Sequence, residues 1–301
     1  MTKVVIIDGY AILHRAYHAL PPMRNKRGEM TNAVYGFVSM LLKIIQEIKP
    51  NNLVITFDRP EKTLRRQKFE DYQGKRADVD EGLSVQFGFA RDMAKSLGIP
   101  SYELAGYESD DLIGTICTRL KNDSSVSDVV VVTGDRDLFQ LVNEKVKIYM
   151  PGRGLSEAKI YTPSEVIERM GVKPSQIVDY KALVGDSSDN YPGVPGVGPK
   201  TAINLLSKYE NLENIYKNLD SIPEKIKAKL VQNKELAKLS QDLAKIYTDV
   251  VFDFNIDDSS SWDLDSPKAI AFFNEMGFNT LTKRVIKVGE DLEKEKQTTL
   301  F

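Results

Sequence analysis

The chain has 301 residues, 41 basic and 43 acidic side chains, a formal net charge of −2 and a single cysteine, Cys117. One thiol excludes a disulfide framework and suits a reducing compartment. The most apolar helical stretch, 37–48, is interrupted by Lys43 and Glu47 and is too short to span a bilayer. The N-terminus also runs directly into a strand rather than a signal peptide. These features set the expectation of a cytoplasmic protein with no membrane partner.

Strand and helix alternate through the first half. A β-branched run at 3–8 reads as a strand buried on both faces. It is followed by a helix at 11–20, a basic loop, an amphipathic helix at 32–48 and a strand at 53–58. The segment 61–82 is charged, lacks a β pattern and reads as a mobile helical excursion. Helices at 84–97 and 109–120 flank an edge at 100–102. A strand at 128–133, a helix from Asp135 and a strand at 146–150 complete the half. This pattern predicts an α/β fold, a doubly wound and mostly parallel sheet, over 1–161.

From Thr162, an N-cap followed by Pro163, the pattern turns helical. Helices are expected at 174–184, 199–209, 223–232 and 234–247, with a returning strand at 250–254 and two short helices within 267–286. The helical region is assigned to 162–288, and the charged remainder, 289–301, to a mobile tail.

Three apolar runs end in aspartate, at Asp8, Asp58 and Asp135, so a parallel sheet delivers three carboxylates to the edge where open α/β sheets bind ligands. Glu108, Asp110, Asp111, Asp137, Asp186 and Asp189 join them. Nine carboxylates on one rim repel and require cations, which points to divalent metals held by oxygen ligands. Two such ions serve phosphodiester hydrolysis. With all nine acids set aside, the formal charge of −2 becomes +7, a surface suited to a polyanion.

Two further motifs agree with that substrate. Residues 193–202, Gly-Val-Pro-Gly-Val-Gly-Pro-Lys-Thr-Ala, read as a helix-hairpin-helix spanning about 185–207. Its Gly196, Gly198, Lys200 and Thr201 offer contacts to a phosphate backbone. It is not a nucleotide-binding P-loop, because Pro199 separates Gly198 from Lys200. The excursion carries Arg65, Arg66, Tyr72, Lys75 and Arg76, which combine phosphate contacts with an aromatic able to stack on an unpaired base. His14 and His18 are four apart on one helix but lack the His-Glu-x-x-His pattern of zinc sites, and packing explains them better.

These residues resemble the 5′-nuclease domain of bacterial DNA polymerase I, in the flap endonuclease superfamily, whose core is PIN-like. The resemblance is carried by Ile7-Asp8-Gly9, 32–37 (Asn-Ala-Val-Tyr-Gly-Phe), Phe57-Asp58, Tyr107-Glu108-Ser109-Asp110-Asp111, Gly134-Asp135-Arg136-Asp137, Gly185-Asp186-Ser187-Ser188-Asp189-Asn190 and 192–198 (Pro-Gly-Val-Pro-Gly-Val-Gly). It implies a monomeric, nucleoid-associated 5′-3′ exonuclease and flap endonuclease acting on branched DNA in replication and repair. It also implies two Mg²⁺ ions, with Mn²⁺ as an alternative: the first near Asp8, Asp58, Glu108, Asp110 and Asp111, the second near Asp135, Asp137, Asp186 and Asp189. The 61–82 excursion corresponds to a helical arch for the single-stranded 5′ arm, and the hairpin to a duplex grip with a K⁺ on its backbone carbonyls.

Two positions depart from the family pattern. Gln73 stands where the arch usually has a lysine that steers the scissile phosphate, and Leu64 where phenylalanine is common. Arg76, or Lys75 through flexibility of the arch, is expected to replace the missing charge in part. Gln297, Leu300 and Phe301 resemble a peptide that docks on the replicative sliding clamp, and they suggest a natural chain end rather than a polymerase fragment. A DNA-recognition module that does not cut, and a PIN-type ribonuclease, remain as alternatives.

Overall fold

In this computed structural model the described residues are 2–76, 79–152 and 158–298. The α/β half runs β1 (Thr2–Asp8), α1 (Gly9–Ala19), α2 (Asn32–Ile48), β2 (Asn52–Thr56), α3 (Leu64–Lys68), α4 (Glu81–Ser96), β3 (Ser101–Tyr102), α5 (Ser109–Lys121), β4 (Val126–Val132), β5 (Val146–Met150) and β6 (Lys159–Tyr161). Helices follow: α6 (Pro163–Met170), α7 (Ile177–Val184), α8 (Pro199–Tyr209), α9 (Leu212–Lys217), α10 (Glu224–Gln232), α11 (Lys234–Ala244), α12 (Pro267–Glu275) and α13 (Asn279–Thr298).

The sheet order is β3-β2-β1-β4-β5-β6. All pairings are parallel except that of β5 with β6. β1 lies between β2 and β4, so the chain winds off it in both directions. That is a topological switch point, where a crevice opens at the carboxyl ends of the strands. Asp8, the last residue of β1, sits there.

Alternation along β1 sends Val5 and Ile7 to one face and Val4 and Ile6 to the other. The first face packs on α1, α2 and α4 together with Phe273, Phe278 and Leu281 from the far end of the chain. The second packs on α5 and the helices of 163–237. No helix among the described residues is long and apolar enough to cross a membrane.

Several elements differ from the sequence reading. Among its described residues the arch segment holds the five-residue α3, turns to residue 76 and the start of α4 at Glu81. Gln73, at φ 56°, and Gly74 interrupt helical continuation there. The helix expected from Asp135 is a 3₁₀ turn at Asp137–Leu141. The expected strand at 250–254 forms no ladder, although it does return to the first half, donating Val250 N–H to Thr115 Oγ1 at 3.2 Å and accepting Arg119 at Val250 O and Phe252 O. Strand β6 and helix α9 were too short to stand out by period. Residues 289–298 continue α13 rather than forming a mobile tail, because Val285, Val288 and Leu292 give the helix an apolar stripe to bury. Leu300 and Phe301 lie outside the described residues, as does the side chain of Gln297.

Candidate metal centre and nucleic-acid interface

Asp8 caps α1 by accepting from Ala11 N–H at 3.1 Å, and Thr133 Oγ1 donates to its other oxygen at 2.7 Å. The α1 turn approaches β2 closely. A Cβ on Gly9 would lie 2.4 Å from the Phe57 ring and 2.7 Å from Thr56 O, so only glycine brings Asp8 and Asp58 onto one floor. Asp58 accepts Ser109 N–H at 2.8 Å, which ties it to the start of α5. Glu108 is the N-cap of that helix, and its carboxylate receives Thr63 Oγ1 at 3.0 Å and Tyr72 OH at 3.2 Å. Asp110, one residue into α5, faces the same crevice, and no hydrogen bond to its carboxylate is found among the described residues.

The electrostatics follow from this crowding. Burial, then the neighbouring Asp58, push Asp8 up to about 7. Burial raises Glu108 to about 7 against the pull of Arg65. Burial, then Asp135, Asp8 and Asp58, raise Asp110 well above the usual carboxylate range. Asp58 is raised by burial as well. Four acids unable to ionise together, one with open lone pairs, fit a divalent cation through its oxygen ligands.

Asp111 departs from the expected role. It is fully buried and receives Arg65 Nη1 and Nη2 at 2.8 and 2.6 Å, Tyr247 N–H at 2.9 Å and Glu108 N–H at 3.1 Å. Its oxygens are saturated, so it anchors α5 and Arg65 rather than facing a metal. Arg65 is likewise buried, and it also donates to Leu243 O and Lys245 O. That disposition corrects its reading as an exposed phosphate contact. Tyr72 is 3% exposed, lies parallel to the Tyr191 ring at 6.4 Å and spends its hydroxyl on Glu108 and Asp189. In this conformation no base can stack on it. Arg66, Lys75 and Arg76 are exposed as expected.

The second acidic group gathers Asp137, Asp186 and Asp189, whose ligand atoms lie within 4.8 Å of one another. Asp135 is positioned beside it by accepting Asp137 N–H at 2.8 Å. Arg76 Nη2 donates to Asp189 at 2.7 Å, and Gln73 N–H to Asp189 O at 2.9 Å, so the foot of the arch docks on this loop. Sequence reasoning missed Lys181, whose Nζ donates to Asp137 and, at 2.5 Å, to Asp186. The signal was present: a lysine inside the apolar run of α7 needs a buried partner. Burial, then Asp135, raise Asp137 to about 7, while Lys181 outweighs burial and holds Asp186 below the usual range.

The hairpin is built as read. Gly193, at φ 64°, passes so close to Gly185 that a Cβ would lie 2.2 Å from its amide nitrogen. Pro199 opens α8, whose first-turn N–H groups have no intrahelical acceptor and point outward with Gly198 and Lys200 exposed. Lys229 Nζ donates to Gly196 O at 2.6 Å, which places an ammonium on one of the carbonyls expected to face K⁺. The His14 and His18 rings lie 4.7 Å apart, tilted by 52°, in an aromatic row with Tyr10 and Phe87, and Cys117 is buried in the core.

An acid-lined switch point on a parallel sheet, joined to a helical hairpin module, defines an α/β phosphodiesterase class. The family model for a 5′-3′ exonuclease, N-terminal resolvase-like domain, matches residues 3–171, and that for a 5′-3′ exonuclease, C-terminal SAM fold, matches 172–267. DNA polymerase I of Bacillus caldotenax is 41% identical over 97% of the chain, and that of Bacillus subtilis 39% over 98%. The chain spans 33% of the length of each of these curated relatives. The T5 D15 flap endonuclease, solved with DNA and metal ions, superposes with a TM-score of 0.67 at 19% identity, over 96% of this chain and 99% of that one. The chain therefore belongs to the 5′-3′ exonuclease family. It is a nuclease.

Proposed function

We propose that the protein is a structure-specific 5′ nuclease that cuts 5′-flap and related branched DNA in replication and repair. The observation that carries this is the convergence of Asp8, Asp58, Glu108 and Asp110 on the β1 switch point, with no donor to the Asp110 carboxylate among the described residues. Divalent ions, Mg²⁺ or Mn²⁺, supply water activation and stabilise the leaving oxygen when bound there. Asp8, Asp58, Glu108 and Asp110 would hold one ion, and Asp135, Asp137, Asp186 and Asp189 a second.

Thr133 and Ser109 orient Asp8 and Asp58, so the site's geometry is set before substrate arrives. Arg66, Lys75 and Arg76 receive the phosphates of a free 5′ strand. Of these, Arg76 lies beside Asp189 and reaches the scissile phosphate in place of the absent arch lysine. Gly196, Gly198, Lys200 and Thr201 grip the duplex through backbone and side-chain donors, with K⁺ at hairpin carbonyls other than that of Gly196, which Lys229 holds. The terminal Gln297, Leu300 and Phe301 tether a cytoplasmic, monomeric enzyme to the sliding clamp.

The test is cleavage of an end-labelled 5′-flap duplex in Mg²⁺, with EDTA and Asp110→Asn as controls. Cutting near the junction that both controls abolish supports the proposal. Tight binding with no cutting, in Mn²⁺ as well, points to a recognition module, with Gln73 as the first position to revert. Deletion of 297–301 should remove clamp binding and leave cleavage intact.

A further inference from the structure

Lys181 has no place in the catalytic scheme above, yet it is the most confined lysine beside the acidic crevice. It is 7% exposed, and its ammonium donates to Asp137 from the 3₁₀ turn and to Asp186 from the loop after α7. Those two carboxylates and Asp189 are the three whose ligand atoms lie within 4.8 Å of one another. An ammonium there occupies oxygen atoms that an ion would need. A second observation concerns Tyr191. Its hydroxyl is buried, it has no hydrogen-bond partner among the described residues, and it feels the charges of Lys181, Asp137, Asp186 and Asp189. It is a polar atom left over beside a cluster that already holds a buried cation, Lys181, besides the exposed Arg76 on Asp189.

We propose that Lys181 is the resident counter-cation of the second carboxylate cluster, and that a divalent ion enters this cluster only by displacing its ammonium. In the first cluster the nearest cation, Arg65, is engaged by Asp111 and approaches Glu108 only at 3.5 Å, so it does not sit among the ligand oxygens. The two ions therefore bind as a strong and a weak class, and the second arrives late, when substrate phosphate adds its own charge to the crevice. Tyr191 is the acceptor toward which the displaced ammonium swings. This inference rests on the metal-dependent reading above and refines it. Lys181 is a positioning residue: it acts through Asp137 and Asp186.

The test titrates the full chain with Mn²⁺ alone by calorimetry and by the loss of free-ion signal in electron paramagnetic resonance, in parent, Lys181→Met and Lys181→Gln. Removing one positive charge within ion-pair distance of the incoming ion should tighten the weak class by about tenfold or more and leave the strong class unchanged. Lys181→Arg, which keeps the charge, should bind like the parent. A neutral variant that folds only with Mn²⁺ present also supports the proposal, since the ion then replaces the ammonium.

The parent supplies an independent readout that does not depend on a neutral variant folding. With ¹³C-labelled lysine ε-methylene groups, the resonance missing from Lys181→Arg should move as Mg²⁺ fills the weak class. Two ion classes with unchanged affinity in both neutral variants, or a stationary Lys181 resonance at saturation, would overturn the role given to Lys181. A parent that binds no divalent ion would overturn the metal reading itself.

Discussion

Replacing Arg65 with methionine is the sharpest test of how the arch foot is held. Asp111 is 0% exposed and takes two hydrogen bonds from the guanidinium, at 2.8 and 2.6 Å. Methionine fills much the same volume but leaves that carboxylate buried and uncompensated, at a cost of about 3–5 kcal/mol. The carbonyls of Leu243 and Lys245 also lose their donor, adding about 1 kcal/mol each. A total of about 5–7 kcal/mol corresponds to a fall in Tm on the order of 10 °C or more for a chain of this size. Thermal unfolding followed by circular dichroism, with urea titration for the free energy, measures it. Adding Asp111→Asn removes the orphaned charge while keeping an acceptor for Tyr247 N–H, so the double variant should recover about half the loss. A loss under about 1 kcal/mol, or no recovery in the double variant, would refute the view of Arg65 and Asp111 as an anchor and restore Arg65 to the list of DNA contacts.

Three other predictions follow from the same geometry. Asp8, Glu108 and Asp137 are held at about 7, and Asp110 higher than usual, so the folded state binds protons more tightly than an unfolded chain with pKa values near 4. The metal-free protein should therefore gain thermal stability as pH falls from about 8 to about 5, and saturating Mn²⁺ should abolish that gain. A Tm in EDTA that declines steadily over that window would contradict the raised values. Tyr72→Phe should cost about 1 kcal/mol of stability through its lost bonds to Glu108 and Asp189 and leave flap affinity within twofold, whereas a tenfold loss of affinity would show the ring leaving its pocket to stack on DNA. Gln73→Lys should raise the single-turnover cleavage rate with little change in binding, and an unchanged rate would show that Arg76 already supplies the charge.

β1, β2, β4 and β5 were legible because they are short apolar runs rich in β-branched residues, α2 because of its amphipathic period, and α8 because Pro199 marks its start. The nine acids could be named from their places at strand ends and helix starts. Their division of labour could not. Asp110 and Asp111 are adjacent in sequence and look equivalent, yet on α5 they point about 100° apart, one into the crevice and one into Arg65. Arg65 and Tyr72 sit in a charged segment that reads as solvated, and only the tertiary arrangement reveals the buried partners Asp111, Glu108 and Asp189. Lys181 was passed over because a helix pattern treats a single charge in an apolar run as an irregularity rather than as half of a pair.

The packing of the last helices sets how the molecule holds together. Phe272, Phe273, Phe278, Leu281 and Val285, from beyond residue 266, lie in the same cluster as Val5, Ile7 and Phe37. The hairpin region thus leaves the nuclease body and the chain then comes back to close it, as a clasp closes a bracelet. A fragment cut at 161 would expose the floor of α2 and α4 and should be poorly soluble, even though it retains seven of the nine acids, from Asp8 to Asp137, and the whole sheet. Length inserted between 162 and 250 is borne by an excursion fixed at both ends, so the hairpin and the acidic crevice are held in register by the body rather than by a tether.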